Sequence, residues 1–165
     1  MRVQLERLVD LLRRSGHVPV PAPPVGGGDG LALWIDWVRA VEQAREGQAI
    51  WLLPNLRLVW LADAMGLLRA LRMGPEAARW MSDGDHPLVG DPEDGCLMWT
   101  ERGLPEIGAP PGAVLEVLLG ERPRLRAIDL GGWIEQVCRL YAGAQLEVDS
   151  DGWVSPRLPG GEGAH

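Results

Sequence analysis

The sequence predicts an α+β fold: N-terminal helices, then a small, mainly antiparallel sheet with a C-terminal helix packed on it. Three observations lead there. Helical periodicity marks residues 3–14, 31–46 and 56–72, short apolar runs bounded by turn residues mark 95–128, and one more amphipathic segment follows at 130–142. At 165 residues the chain fits one domain, here 1–154, followed by a tail over 155–165 expected to be disordered.

Taken in order, Leu5, Leu8, Val9 and Leu12 follow the i, i+3, i+4, i+7 rule and predict a helix over 3–14. Residues 17–30, HVPVPAPPVGGGDG, hold four prolines and four glycines and read as a loop or plain tether. Trp34, Trp37, Val38 and Val41 make one face of a helix over 31–46. Pro54 stops the short run AIWLL, and Asn55 is read as the cap of a third helix over 56–72. Its expected core set is Leu58, Leu61, Met65 and Leu68, and Gly74-Pro75 ends it. Residues 95–100 and 113–119 read as strands, the second apolar on both faces and therefore central. A third strand is expected near 125–128. Asp129 is expected to cap the helix over 130–142, and 145–149 reads as an edge strand.

Composition narrows the function. All sixteen basic residues are Arg, and there is no Phe against eight Trp, a pattern that suits a high-GC bacterial genome. With Phe absent, most of the Trp residues are expected in the core. Cys96 and Cys138 sit in apolar runs, as buried free thiols of a reducing compartment do. The charged N-terminus lacks a signal-peptide core, and no apolar run reaches the roughly 18–20 residues of a membrane span. A cytoplasmic location is expected.

The net charge is −7, and residues 81–106 account for six of those negative charges. They carry Asp83, Asp85, Asp91, Glu93, Asp94, Glu101 and Glu106 against Arg102 alone. Such a field repels nucleic acid and draws cationic partners. It does not match a calcium loop: counted from Asp83, the fifth position is Pro87 and the sixth is Leu88, where an oxygen ligand and Gly are required. His17, His86 and His165 are too scattered for a transition-metal set. Ser82 and His86 are four apart, but the Gly after Asp83 argues against the helix that would bring them together. The acids then read either as a solvated loop or as a contact surface, bracketed by Trp80 and Trp99 in a hot-spot arrangement. Trp133, after Gly131-Gly132, is a third Trp expected to be partly exposed. Arg122, Arg124 and Arg126 alternate and are read as partners of nearby acids.

Four stretches over about 48–154 resemble the SUKH superfamily, related to a fungal cell-wall-synthesis regulator and widespread in bacteria as toxin-immunity proteins. "IWLLPNLRLVWLADAMGLLRAL" looks like its leucine-rich segment. "RWMSDGDHPLVGDPEDGCLMW" looks like its Trp, Asp/Gly-rich loop and strand, and "PPGAVLEVLLGE" like the strand that follows. "RLRAIDLGGWIEQVCRLYAGAQLEVDSDGW" looks like its late helix, with Asp129 at the cap and Trp133-Ile134 in place of Trp-Leu. The resemblance implies a single α+β domain with a central sheet and a binding role rather than catalysis; no cofactor or metal is expected. The expected activity is neutralisation of a cationic toxin by direct contact, without nucleic-acid or membrane partners. The expected partner-binding set is Trp80, Asp83, Asp85, Asp91, Glu93, Asp94, Trp99, Glu101 and Trp133. Two alternatives stand beside it: an adaptor subunit of a larger assembly, and a metal-dependent hydrolase.

Overall fold

The protein is described here by a computed structural model covering residues 1–91 and 94–158. Two helices open the chain, α1 (Arg2–Arg14) and α2 (Leu31–Ala44), followed by a hairpin of β1 (Trp51–Leu53) and β2 (Leu56–Leu58). Helices α3 (Leu61–Arg72) and α4 (Pro75–Trp80) come next, then β3 (His86–Asp91), β4 (Gly95–Trp99), β5 (Val114–Leu118) and β6 (Arg124–Ala127). Helix α5 (Leu130–Ala142) and the hairpin of β7 (Leu146–Val148) and β8 (Val154–Pro156) complete it. Strands β1 to β6 form one antiparallel sheet in sequence order, so each strand lies beside the next one along the chain. This is the expected α+β arrangement.

The sheet separates two apolar cores. The larger packs α1, α2 and α5 on one face through Leu8, Trp34, Trp37, Trp133, Ile134 and Val137, with Leu97 and Val114 of the sheet. The smaller lies on the other face, where Leu68, Leu71, Ala77 and Met81 meet Cys96, Met98, Leu115 and Val117. Strand alternation sends neighbouring residues of β4 and β5 to opposite cores, and for that reason β5 is apolar on both sides. Asp129 caps α5 as expected: its Oδ1 accepts from Gly132 N at 2.6 Å.

Several expectations need correction. Residues 17–30 are strapped to the domain rather than a free tether. Trp37 Nε1 donates to Pro21 O, Arg13 Nε to Val20 O and Arg2 Nη1 to Pro24 O, while Val20 is buried. Proline-rich chain lacks amide donors, but its carbonyls remain good acceptors for these side chains. Asn55 does not cap a helix. It has φ 59° and closes the β1–β2 turn with Pro54, the residue pair that a turn with a left-handed second corner requires. Helix α3 therefore starts at Leu61, and its core side is Ala64, Leu68 and Leu71, with Met65 exposed.

The acid-rich segment is not one loop, because His86–Asp91 forms β3 between β2 and β4. Pro87 is tolerated there because β2 pairs only with Val89 and Gly90, and the register shifts between Pro87 and Val89. Strand β7 pairs with β8 in a separate two-stranded sheet, so 145–149 is not an edge of the main one. Ser155 and Pro156 belong to β8, which moves the start of the expected tail beyond them; residues 159–165 lie outside the described residues. Of the eight Trp, Trp34, Trp37 and Trp133 are fully buried, and Trp60, Trp80 and Trp99 pack against the cores while half-buried. Trp51 and Trp153 stack on each other with centroids 4.5 Å apart.

His17 links the N-terminal loop to pH. It is 3% exposed, meets the Tyr141 ring edge-on, and its Nε2 has no partner among the described residues. Burial, aided by nearby Arg45, lowers its pKa to about 4. The unfolded chain takes up this proton at about pH 6.5, and the folded chain only near 4. The stability this contributes is complete above pH 6.5 and is lost as pH falls toward 4, by up to roughly 3 kcal/mol. Half-buried His86, also lowered by desolvation, acts in the same direction. In urea unfolding at pH 7.5, 5.5 and 4.5, His17→Gln is expected to flatten this decline; an unchanged slope would contradict the assignment.

Candidate functional site

The expected partner-binding residues do not form one surface. Strands β3 and β4 make a hairpin, and the acids divide between its two ends. Asp91 and Asp94 lie at the closed end, whereas Asp83, Asp85 and Glu101 lie at the open end, the length of β4 away, roughly 15 Å. Glu93 lies outside the described residues. Trp80 packs on the smaller core and Trp99 on the larger, so they stand on opposite faces of the sheet. Trp133 is 2% exposed and packs edge-on against Trp34. The expectation that it is partly exposed was wrong, because Gly131 and Gly132 lie in the first turn of α5 while Trp133 points into the core side.

The open end is a structural joint. Asp85, 3% exposed, is no contact residue: its Oδ2 accepts from Ser82 N at 2.8 Å, and its Oδ1 from Ser82 Oγ at 3.1 Å and Glu101 N at 2.9 Å. One carboxylate thus clamps the entry of β3 to the exit of β4. Asp83 is exposed but pairs with Arg72 at 2.7 Å. The Glu101 side chain lies where a Cβ on Gly84 would stand, so Gly84 permits that close approach.

The closed end is different. The amide of Leu119 donates to Asp94 O at 3.2 Å, fastening the β5–β6 turn beside the β3–β4 turn. Asp94, Leu119 and Glu121 are all exposed there. Arg124 approaches Glu121 at 3.9 Å, and Arg126 pairs with Glu116 further along the same strands, so these arginines partner nearby acids as expected.

The remaining reactive groups are held in unreactive settings. Burial pushes the Cys96 thiol up to about 12 and also raises Cys138, which keeps both protonated. The Ser82 hydroxyl is committed to Asp85 rather than to His86. Among the described residues, no group of three or more His, Cys, Asp or Glu side chains is placed to hold a metal ion. Among those same residues, no helix is long and apolar enough to cross a membrane.

No family model matches the chain, and no curated protein matches it.

Sequence reasoning missed Leu119 and the residues around Arg57. Strand alternation over 113–119 makes Leu119 one more inward residue, yet the strand ends at Leu118 and Gly120 follows with φ 78°. The expected helix over 56–72 sets Arg57 and Asp63 on one element, whereas β2 and α3 divide them. Two short apolar runs, WLL and LRL, flanking Pro54-Asn55 were the available hairpin signal.

Proposed function

We propose that this chain is a partner-binding protein that neutralises a cationic protein by contact, as immunity proteins of the SUKH type do. The reading rests chiefly on the closed end of the β3–β4 hairpin. An exposed leucine there is fastened beside Asp91, Asp94 and Glu121 by the Leu119–Asp94 hydrogen bond. Carboxylates around an apolar contact speed the approach of a basic protein, while the leucine slows its departure. The engaged Ser82 and the protonated thiols favour binding over chemistry. The Trp80-to-Trp99 surface is replaced in this reading by Asp91, Asp94, Leu119 and Glu121.

The test is co-expression with the neighbouring open reading frame. Growth arrest by that product alone, relieved by this chain, is the expected result, and absence of relief counts against immunity. With the purified pair, reversing Asp91, Glu93 and Asp94 to Arg is expected to slow association about tenfold at low salt and flatten its salt dependence. Leu119→Ala is expected to speed dissociation instead. Unchanged rates in both variants would move the contact elsewhere.

A further inference from the structure

Helix α3 crosses β2 and β3 on the sheet face of the smaller core and leaves an open cleft of about 550 Å³, a size suited to a small ligand. Its lining combines two charges with an apolar wall. Arg57 rises from β2, Asp63 stands in the first turn of α3, Trp60 lies between them in the chain, and Leu67 follows one turn further along α3. The indole of Trp60 donates to Gly47 O at 3.3 Å, which holds the ring as a fixed wall. Gly66 and Gly90 keep the space open, and a Cβ on Gly66 would meet nothing within 4 Å.

Two features distinguish this cleft from a bare groove. Arg57 is half-buried, yet its guanidinium has no hydrogen bond or ion pair among the described residues. Asp63, which is exposed, lines the same cleft, and its carboxylate forms no ion pair among those residues. Opposite charges that line one cleft without pairing suit a ligand that carries both. A half-buried guanidinium recruits a carboxylate with two parallel hydrogen bonds. The nearby Asp63 opposes phosphates and other polyanions and welcomes an ammonium. Trp60 and Leu67 supply the surface for an apolar body.

We infer that this cleft binds a small zwitterion, an apolar α-amino acid. Its carboxylate meets Arg57, its ammonium meets Asp63, and its side chain lies against Trp60 and Leu67. This assignment stands apart from the partner-binding reading and does not depend on it.

The experiment titrates the ¹⁵N-labelled full chain with L-leucine and L-phenylalanine, following the Trp60 indole and the amides of α3 by NMR. 3-Phenylpropanoate, which lacks the ammonium, and phenethylamine, which lacks the carboxylate, are the comparison ligands. Saturable binding of at least one amino acid is expected, with both comparison ligands weaker by about tenfold or more. Arg57→Gln is expected to weaken the amino acid and 3-phenylpropanoate while sparing phenethylamine, and Asp63→Asn to weaken the amino acid and phenethylamine while sparing 3-phenylpropanoate. Gly66→Leu fills the cleft with a better helix former, so it should abolish binding in a protein that melts no earlier than the parent. Three results would each overturn the inference: no saturation by either amino acid below about 10 mM, undiminished binding in Arg57→Gln, or undiminished binding in folded Gly66→Leu.

Discussion

Asp85→Ala is expected to lower unfolding stability by roughly 3–5 kcal/mol. The carboxylate is buried and accepts from two backbone amides and one hydroxyl, so its removal strands Ser82 N and Glu101 N without their acceptor. Each buried unsatisfied donor costs about 1–3 kcal/mol, and a hydrogen bond to a charged acceptor is at the strong end of the range. Asp85→Asn separates the contributions. Its carbonyl can keep Glu101 N and Ser82 Oγ, but its amide faces Ser82 N, donor against donor, so a smaller loss is expected. Ser82→Ala removes only the hydroxyl and should cost least. Urea denaturation of the three variants checks this order. If Asp85→Ala lost less than Ser82→Ala, the clamp would not hold the two ends of the hairpin together.

A comparable loss, roughly 3–5 kcal/mol, is expected for Gly95→Ala. Gly95 opens β4 with φ 142°, a region that L residues rarely adopt. A Cβ there would also overlap the Val117 carbonyl oxygen and crowd Leu118 Cα on the neighbouring strand. Both obstacles are backbone, which cannot turn aside as a side chain can. The pairing of Gly95 with Leu118, and with it the closed end of the β3–β4 hairpin, should therefore fail. Gly66→Ala is the matched comparison. It sits in helix with open space around it, so it should raise stability by up to about 1 kcal/mol. Thermal melts of the two variants should shift in opposite directions; a shared direction would refute the steric argument.

Much of the fold was legible because its signals are local. The apolar stripe of α1 and the Asp129 cap with the Ile134, Val137, Cys138 and Tyr141 face of α5 are set by residues within a few turns of each other. The two-sided apolar pattern of β5 told its interior position directly. Misreadings fell where a local signal supports two structures. Asn55 suits both a helix cap and a left-handed turn corner, and the neighbouring hairpin strands decide between them. In β3, Pro87 and flanking acids mark a loop, but pairing with β4 overrides that preference. The candidate site was less legible for the same reason. Nearness in sequence gathered Asp83, Asp85, Asp91, Asp94 and Glu101 into one patch, whereas the hairpin folds that stretch in two and sends them to opposite ends. The contact between Leu119 and Asp94 spans separate turns and leaves no trace in either segment alone.

The two cores differ in how much chain must exist before they can close. Every buried residue of the smaller one falls between Leu68 and Val117. The larger one needs both extremities: Cys138 Sγ reaches Gln4 O, 134 residues away, and the Tyr141 hydroxyl donates to Leu52 O. During synthesis, α1 and α2 emerge before α5, with the leucines of α1 and with Trp34 and Trp37 of α2 uncovered, and they stay so until α5 has left the ribosome. The N-terminal helices spend the longest interval exposed, which makes them the segment most in need of a chaperone while the chain is being made.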